Sequence, residues 1–467
     1  MRVILLHIAL LFSGLVSAQD STSVITLSEY LGYVKSFHPI VKQANLVINE
    51  SEVKLMKARG AFDPKLEVDY DRKKFKNTEY FDRLNASFKI PTWFGVELKG
   101  NFEENTGDFL NPQAFVPEDG LYSAGVSVPV ARGLLTNKRM AMLRQSRLYV
   151  KQAQADRQLL VNDILYNATV SYFNWLRTYN EKRVYEDFLT NAEMRFGGIK
   201  KSYEVGDKPA IDTLEARIAL NNRKLNLEKS RIKFVKASLE LSNYLWLNDN
   251  TPIEIKEGII PDVNTFETID VTLNTSGLDI ENFNIENHPK MQSLDFKQRS
   301  LTIEKRLKLN NLLPQIDLQY NFLSQTPEVA RSFSTSAYKS GVNISFPLFL
   351  RKERGDLKLA KIKLQDTKFD IQNTKVSLKN KIDTINQELN SYVLQNSLTE
   401  TIVIDYTRML SAEERKFFLG ESSLFLVNSR ESKLIDAKLK AIDIENSFFK
   451  TKASLFNALA IPHFEIN

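Results

Sequence analysis

The sequence predicts an α+β membrane protein made of two internal repeats. In it, strands form a transmembrane β-barrel shared between chains, and long helices continue that barrel as a coiled-coil barrel. Three observations carry the prediction: a duplication, two very long proline-free stretches, and six short segments of strict apolar/polar alternation. The duplication pairs His38-Pro39 with His288-Pro289, Pro64 with Pro314 and Tyr70 with Tyr320, all at an offset of 250 residues. A second echo pairs Tyr203 and Gly206 with Phe417 and Gly420.

The elements follow in order. Residues 1–18 read as a secretory signal peptide, with Arg2, an apolar core and a small-residue cleavage site at Val16-Ser17-Ala18. That core is too short to serve as a membrane anchor. Repeat 1 spans 19–247, with helices over 28–60, strands over 65–130, a long helix over 137–205, a tip near 206 and a helix over 209–247. Residues 248–282 contain Pro252, Gly258 and Pro261 and show no helical periodicity; they read as an equatorial linker packed outside the long helices. Repeat 2 spans 283–460, with a helix over 289–313, strands over 315–348, a long helix over 351–419, a tip near 420 and a helix over 421–460. Residues 461–467 are a C-terminal tail. Each His-Pro places proline in the first turn of a helix, where its missing N–H costs nothing.

Each long stretch, at 1.5 Å per residue, makes a rod of about 100 Å, against three or four turns for an average helix. A helix of about 40 residues and one of about 25 flank each rod, so two shorter helices stacked end to end match its length. The strands alternate: Leu66, Val68 and Tyr70 against Glu67, Asp69 and Asp71, and likewise Ile316, Leu318 and Tyr320 against Asp317 and Gln319. Alternation alone fits either a soluble antiparallel sheet or a lipid-facing barrel with a polar lumen. The helices favour the barrel, because their moderately apolar faces suit coiled-coil contacts around water better than a dry core. Six strands per chain are fewer than the smallest membrane barrel needs, and an open edge in lipid costs several kcal/mol per unpaired group. The barrel is therefore shared, and three copies give about 18 strands.

Composition closes off other classes. The chain has no cysteine, which excludes disulfides, thiolate metal sites and a lipid-modified cysteine. Net charge is +6 with both signs interspersed, so no nucleic-acid footprint is expected. His7 lies in the signal, His38 and His288 start helices, and His463 stands alone, so no metal site or cofactor is expected. Neither a phosphate-binding Gly-rich loop nor a nucleophile–base constellation is present, so the chain is not read as an enzyme.

These features together resemble the TolC family of outer-membrane efflux factors. The marks are the doubled His-Pro, Phe62-Asp63-Pro64, Ser345-Phe346-Pro347-Leu348, and the tip segments Tyr203–Gly206 with Asp212 and Phe417–Gly420. The resemblance implies a homotrimer whose β-barrel crosses the outer membrane and whose α-helical barrel projects through the periplasm. It further implies a passive exit duct that serves an inner-membrane pump (RND or ABC type) through a periplasmic adaptor protein, with outer-membrane lipid around the barrel. It leaves open whether the cargo is a drug, metal, protein or polysaccharide.

Two departures from the family matter. Pro64 and Pro129 stand 65 positions apart in repeat 1, against 33 for Pro314 and Pro347 in repeat 2. The excess holds a second hairpin turning at Ile90-Pro91-Thr92-Trp93, read as widening the barrel to 18 strands or else as a surface flap. At the gate, family members carry acids six and nine positions after the second tip glycine; here those positions are Leu426 and Ser429. Phe417 replaces a tip tyrosine and cannot donate a hydrogen bond to Asp212. The tip and gate set is then Tyr203, Gly206, Asp212, Phe417, Gly420, Leu424, Phe425 and Leu426. Its apolar run is either a constriction that closes by dewetting or coiled-coil core. Phe75, Tyr80, Trp93, Phe94, Tyr338 and Phe346 are candidates for the membrane girdles. Glu413–Lys416 reads as a solvated face or an adaptor contact. The rival reading is a soluble periplasmic coiled-coil adaptor or structural protein, which gives the six strands no role.

Overall fold

The computed structural model describes residues 23–256, 258–277, 280, 283–327 and 334–461. The expected signal peptide and His463 lie outside the described residues.

Repeat 1 opens with β1 (Ser23–Ile25), α1 (Leu27–Phe37) and α2 (Pro39–Arg59). It continues with β2 (Lys65–Phe75), β3 (Thr78–Pro91), β4 (Glu97–Thr106) and β5 (Leu121–Pro129), then α3 (Lys138–Glu204) and α4 (Ala210–Ser242). The inter-repeat segment holds β6 (Ile259–Pro261) and α5 (Thr265–Thr272). Repeat 2 gives α6 (Pro289–Asn310), β7 (Gln315–Ser324), β8 (Tyr338–Ser345), α7 (Arg351–Phe418) and α8 (Leu424–Leu459).

Six of the strands form one antiparallel sheet in the order β2-β3-β4-β5-β7-β8. The extra hairpin is thus continuous with the other strands. Lys76 and Asn77 turn β2 into β3 with positive φ at both positions, the geometry a two-residue hairpin loop requires. Cross-strand register sorts the residues by face. Leu66, Phe88, Gly100, Ala124, Phe322 and Tyr338 lie on one row; the adjacent row runs Glu67, Ser87, Asn101, Ser123 and Leu323. One face is therefore largely apolar. The other is lined with polar groups, including a Glu67–Lys89 ion pair and Arg83 with Asp71 at 3.3 Å.

The helices lie side by side. The α2/α4 stack packs on α3, α3 packs on the α6/α8 stack, and that stack packs on α7. At each stack the His-Pro is the joint. The backbone N–H of Ile40 donates to His38 Nδ1 at 3.2 Å, capping α2, while the ring stacks on Tyr244 beyond the end of α4 at 5.9 Å. In the second repeat the Lys290 N–H donates to His288 Nδ1 at 3.1 Å, capping α6 in the same way. The equatorial core is centred here, with Tyr30, Tyr172, Phe173, Trp175, Leu241 and Phe456 fully buried.

The linker departs from expectation. It carries α5, whose Ile269 is buried with Leu273 in the equatorial core. An eight-residue helix rich in β-branched Thr, Ile and Val leaves no readable periodicity in sequence. Its packing, with Lys452 bonded to Asp270 at 2.7 Å, holds it helical. β1 and β6 pair in parallel alongside, and Tyr172 Oη donates to the Ile25 carbonyl at 2.8 Å. The helices before and after the tips are also shorter than read from sequence. α4 ends at Ser242 because the chain turns into a Trp246–Pro252 bridge, and α8 starts at Leu424 because Ser423 caps it.

His288 is 4% exposed, and burial lowers its pKa to about 4. A histidine kept neutral in the fold but protonated when unfolded contributes its stability above about pH 6.5, and loses it as pH falls toward the folded value. The expected loss is roughly 2–3 kcal/mol per chain between pH 6.5 and 4. Thermal melts across that window check it. His288→Asn keeps a capping acceptor and is expected to flatten the slope; an unchanged slope would place the titration elsewhere.

Candidate functional site at the helical tips

The two tips are the same turn built twice. At the end of α3 the Gly206 N–H donates to the Tyr203 carbonyl at 2.9 Å and the Asp207 N–H to the Ser202 carbonyl at 2.8 Å. At the end of α7 the Gly420 N–H donates to the Phe417 carbonyl at 3.1 Å and the Glu421 N–H to the Lys416 carbonyl at 2.9 Å. Both glycines have φ near 80° (81° and 78°), the left-handed conformation that this helix stop requires and that a side chain would strain.

The structure divides the eight tip residues predicted from sequence. Leu424 is buried with Ile199 and Ala216, and Phe417 packs against that cluster. Leu424 is therefore coiled-coil core and unavailable to line a pore. Phe425 is 67% exposed and Leu426 39%. Tyr203 is exposed, and Asp212 sits in the first turn of α4, where a carboxylate favours the helix dipole. In place of a tyrosine–aspartate hydrogen bond, Lys208 Nζ stands 5.1 Å from the Phe417 ring centre, joining the first tip to the second by a cation–π contact.

Roughly 15 Å above the tips lies a cluster that sequence reasoning missed. Glu431 on α8 is fully buried and takes Arg195 of α3 at 3.1 Å and Arg223 of α4 at 3.0 Å. Arg195 also meets Glu414 of α7 at 3.0 Å, so four helices share one charge network. Asn428 extends it, donating to Glu215 at 3.1 Å, and Arg223 reaches Ser432 Oγ at 3.2 Å. Apolar clusters flank it, with Phe188, Leu410 and Leu434 on one side and Ile199 and Leu424 on the other. The signal was present in the spacing. Glu431 falls in the seam Leu424, Val427, Leu434; Arg223 in the seam Ala216, Leu220, Ser230, Ala237; and Arg195 in the seam Phe188, Ala192, Ile199. Each is a charge at a core position of a 3.5-residue repeat.

The aromatic candidates fall at the two ends of the sheet. The set at the end away from the helices holds Phe75 against Tyr80 (6.4 Å) and Tyr338 stacked on Tyr320 (5.4 Å). Near the helices are Trp93, stacked on Phe62 at 5.8 Å, together with exposed Phe94 and Phe346. Strands of about ten residues span roughly 33 Å between the two sets, and tilt reduces that toward the 25 Å apolar band of membrane barrels. Among the described residues no helix is long and apolar enough to cross a membrane, and no group of acids and histidines is arranged to hold a metal ion.

Residues 284–460 match the protein-family model described as outer membrane efflux protein. The second repeat is thus similar to an outer membrane efflux protein domain. The fold of the whole chain agrees with this. The outer membrane channel CmeC of Campylobacter jejuni superposes with a TM-score of 0.64 at 15% identity, over 93% of this chain and 85% of that one. VceC of Vibrio cholerae gives 0.65 at 12% identity over 93% and 96%, and the open state of the MtrE channel of Neisseria gonorrhoeae 0.63 at 12% over 93% and 88%. No curated protein matches the chain in sequence. The fold of the whole chain is thus similar to that of solved outer-membrane channels.

Proposed function

We propose that three copies of this chain form an outer-membrane exit duct of a tripartite efflux or type I secretion system. It would conduct substrates passively from an inner-membrane pump and periplasmic adaptor to the cell exterior. The observation that most supports this reading is the pair of free sides on one chain. One side carries edge strand β2 and the α2/α4 stack; the other carries edge strand β8 and α7. Both edge strands are exposed along their whole length. Large apolar side chains are exposed on both helical sides, among them Val53, Met56 and Leu225 on one and Ile362, Phe369 and Val376 on the other.

Two unlike faces join head to tail, and such contacts close into a ring when neighbours are related by a rotation that divides a full turn. Three six-stranded sheets then give an 18-stranded barrel, and the helices below it a continuous tube. In this reading the tips contact the adaptor, Phe425 and Leu426 narrow the periplasmic mouth, and the two aromatic sets meet the membrane interfaces. The test is the mass and shape of the detergent-extracted particle. Light scattering is expected to give three chains, and electron microscopy a hollow stalk with 18 strands above it. A particle with 12 strands would assign the extra hairpin that turns at Ile90-Pro91-Thr92-Trp93 to a flap, and a soluble monomer would overturn the duct.

A further inference from the structure

Positive charge is concentrated where the helices meet the sheet. Lys138 to Lys151 of α3 holds five cations and no acid, Lys297 to Lys308 of α6 five and one, and Arg351 to Lys363 of α7 six and two. These three segments carry a net +13, although the whole chain carries only +6. The excess stops abruptly. Residues 364–383 of α7 have four cations and three acids, and residues 152–165 of α3 one and two. All three segments lie at the sheet end of their helices, because α3 and α7 begin there and α6 ends there.

Most of this charge is uncompensated. Among the described residues, Arg139, Lys297, Arg299 and Lys308 have acidic partners. Arg147, Lys151, Arg306, Arg354, Lys358 and Lys361 are exposed and make no ion pair. Ring closure would not neutralise them, since residues 50–59 of α2, the neighbouring surface, bring three cations and two acids. Exposed apolar side chains stand directly beside the charge. Leu348 is 86% and Phe349 73% exposed, and Arg351 lies 5.3 Å from the Phe349 ring centre. Phe346 and Leu348 continue the even-numbered series of Val342 and Ile344 on the apolar face of the sheet.

We infer that this collar is a binding surface for the anionic phospholipid headgroups of the leaflet facing the periplasm. The inference rests on the membrane reading above. Apolar residues followed by a run of lysine and arginine are what an interface between hydrocarbon and anionic headgroups selects. The depth also fits. Headgroups occupy about 5–8 Å beyond the hydrocarbon and the Debye length adds about 8 Å, or roughly ten residues of helix. The charge excess ends shortly after that distance.

The chain has no cysteine, so Leu348→Cys in the full-length protein gives one labelling site for a fluorophore. The labelled protein is reconstituted in phosphatidylcholine vesicles containing a minority of phosphatidylglycerol, with bromine on the chains of one lipid or the other. Brominated phosphatidylglycerol is expected to quench about twofold more than its mole fraction predicts at low salt, and to lose that excess near 0.5 M salt. The combined change Arg147→Gln, Lys151→Gln, Lys358→Gln and Lys361→Gln is expected to abolish the excess while quenching by phosphatidylcholine persists. Particle mass checks that the variant assembles. Quenching by both lipids in proportion to their abundance overturns the collar alone, and an accompanying change in anion conductance would place the charge in the lumen. No quenching by either lipid overturns the membrane reading, and the collar with it.

Discussion

Glu431→Ala is expected to loosen the tip end of the long helices more than any other single truncation there. The carboxylate is fully buried and is the counter-charge that Arg195 and Arg223 share across three helices. Arg195 keeps Glu414 when it is lost, but Arg223 keeps only the Ser432 hydroxyl as a hydrogen-bond partner among the described residues. Removing one partner of a buried pair costs about 3–5 kcal/mol, chiefly through the charge left behind. Hydrogen exchange is the suitable readout, because local opening is what changes. Faster exchange is expected in residues 188–199 and 216–230, with the equatorial core near Trp175 unchanged. Replacing Arg223 and Glu431 together by methionine is expected to recover much of the loss, since an apolar set of similar volume often matches a buried ion pair. If Glu431→Ala leaves exchange at the tips unaltered, the network contributes no net stability and its place is one of register alone.

The architecture was legible because it is written at long range. Proline-free rods, an exact repeat offset and alternating strands survive any local ambiguity, and the sheet and rods follow them within a few residues. What escaped was decided by tertiary contact. Residues 265–272 are helical because Ile269 and Leu273 reach the equatorial core, not because the segment favours a helix. The role of the doubled His-Pro is likewise visible only in the fold, where each ring caps the helix its proline opens and His38 also stacks on Tyr244 beyond α4. At the tips the sequence named an apolar run but could not separate Leu424, which is core, from Phe425 and Leu426, which are exposed. Three consecutive residues on a helix point in three directions, and only the packing of α3 and α4 says which one is inward. The charge cluster was readable in principle from its core-register positions, once the seams were traced on all four helices.

Leu426→Asp is expected to raise the conductance of the closed channel by about tenfold or more in planar bilayers, if three copies of this side chain narrow the mouth as proposed. A narrow apolar ring excludes water, and ions then face the cost of entering an unhydrated gap. One carboxylate per chain rehydrates the ring and adds cation affinity. Leu426 is suited to this because its side chain is partly free in the single chain while its neighbour Leu424 holds the backbone in the core, so substitution changes the mouth without removing the packing. Phe425→Ser is expected to act in the same direction, without the cation preference. Leu424→Asp is the contrasting control. It buries a charge between Ile199 and Ala216 and should damage the tip rather than open it, seen as lost assembly instead of a larger stable current. Equal, small currents for Leu426→Asp and the unsubstituted protein would mean that these apolar side chains pack between subunits. Closure would then fall to the polar network around Glu431, and the same recordings on Glu431→Ala would show it.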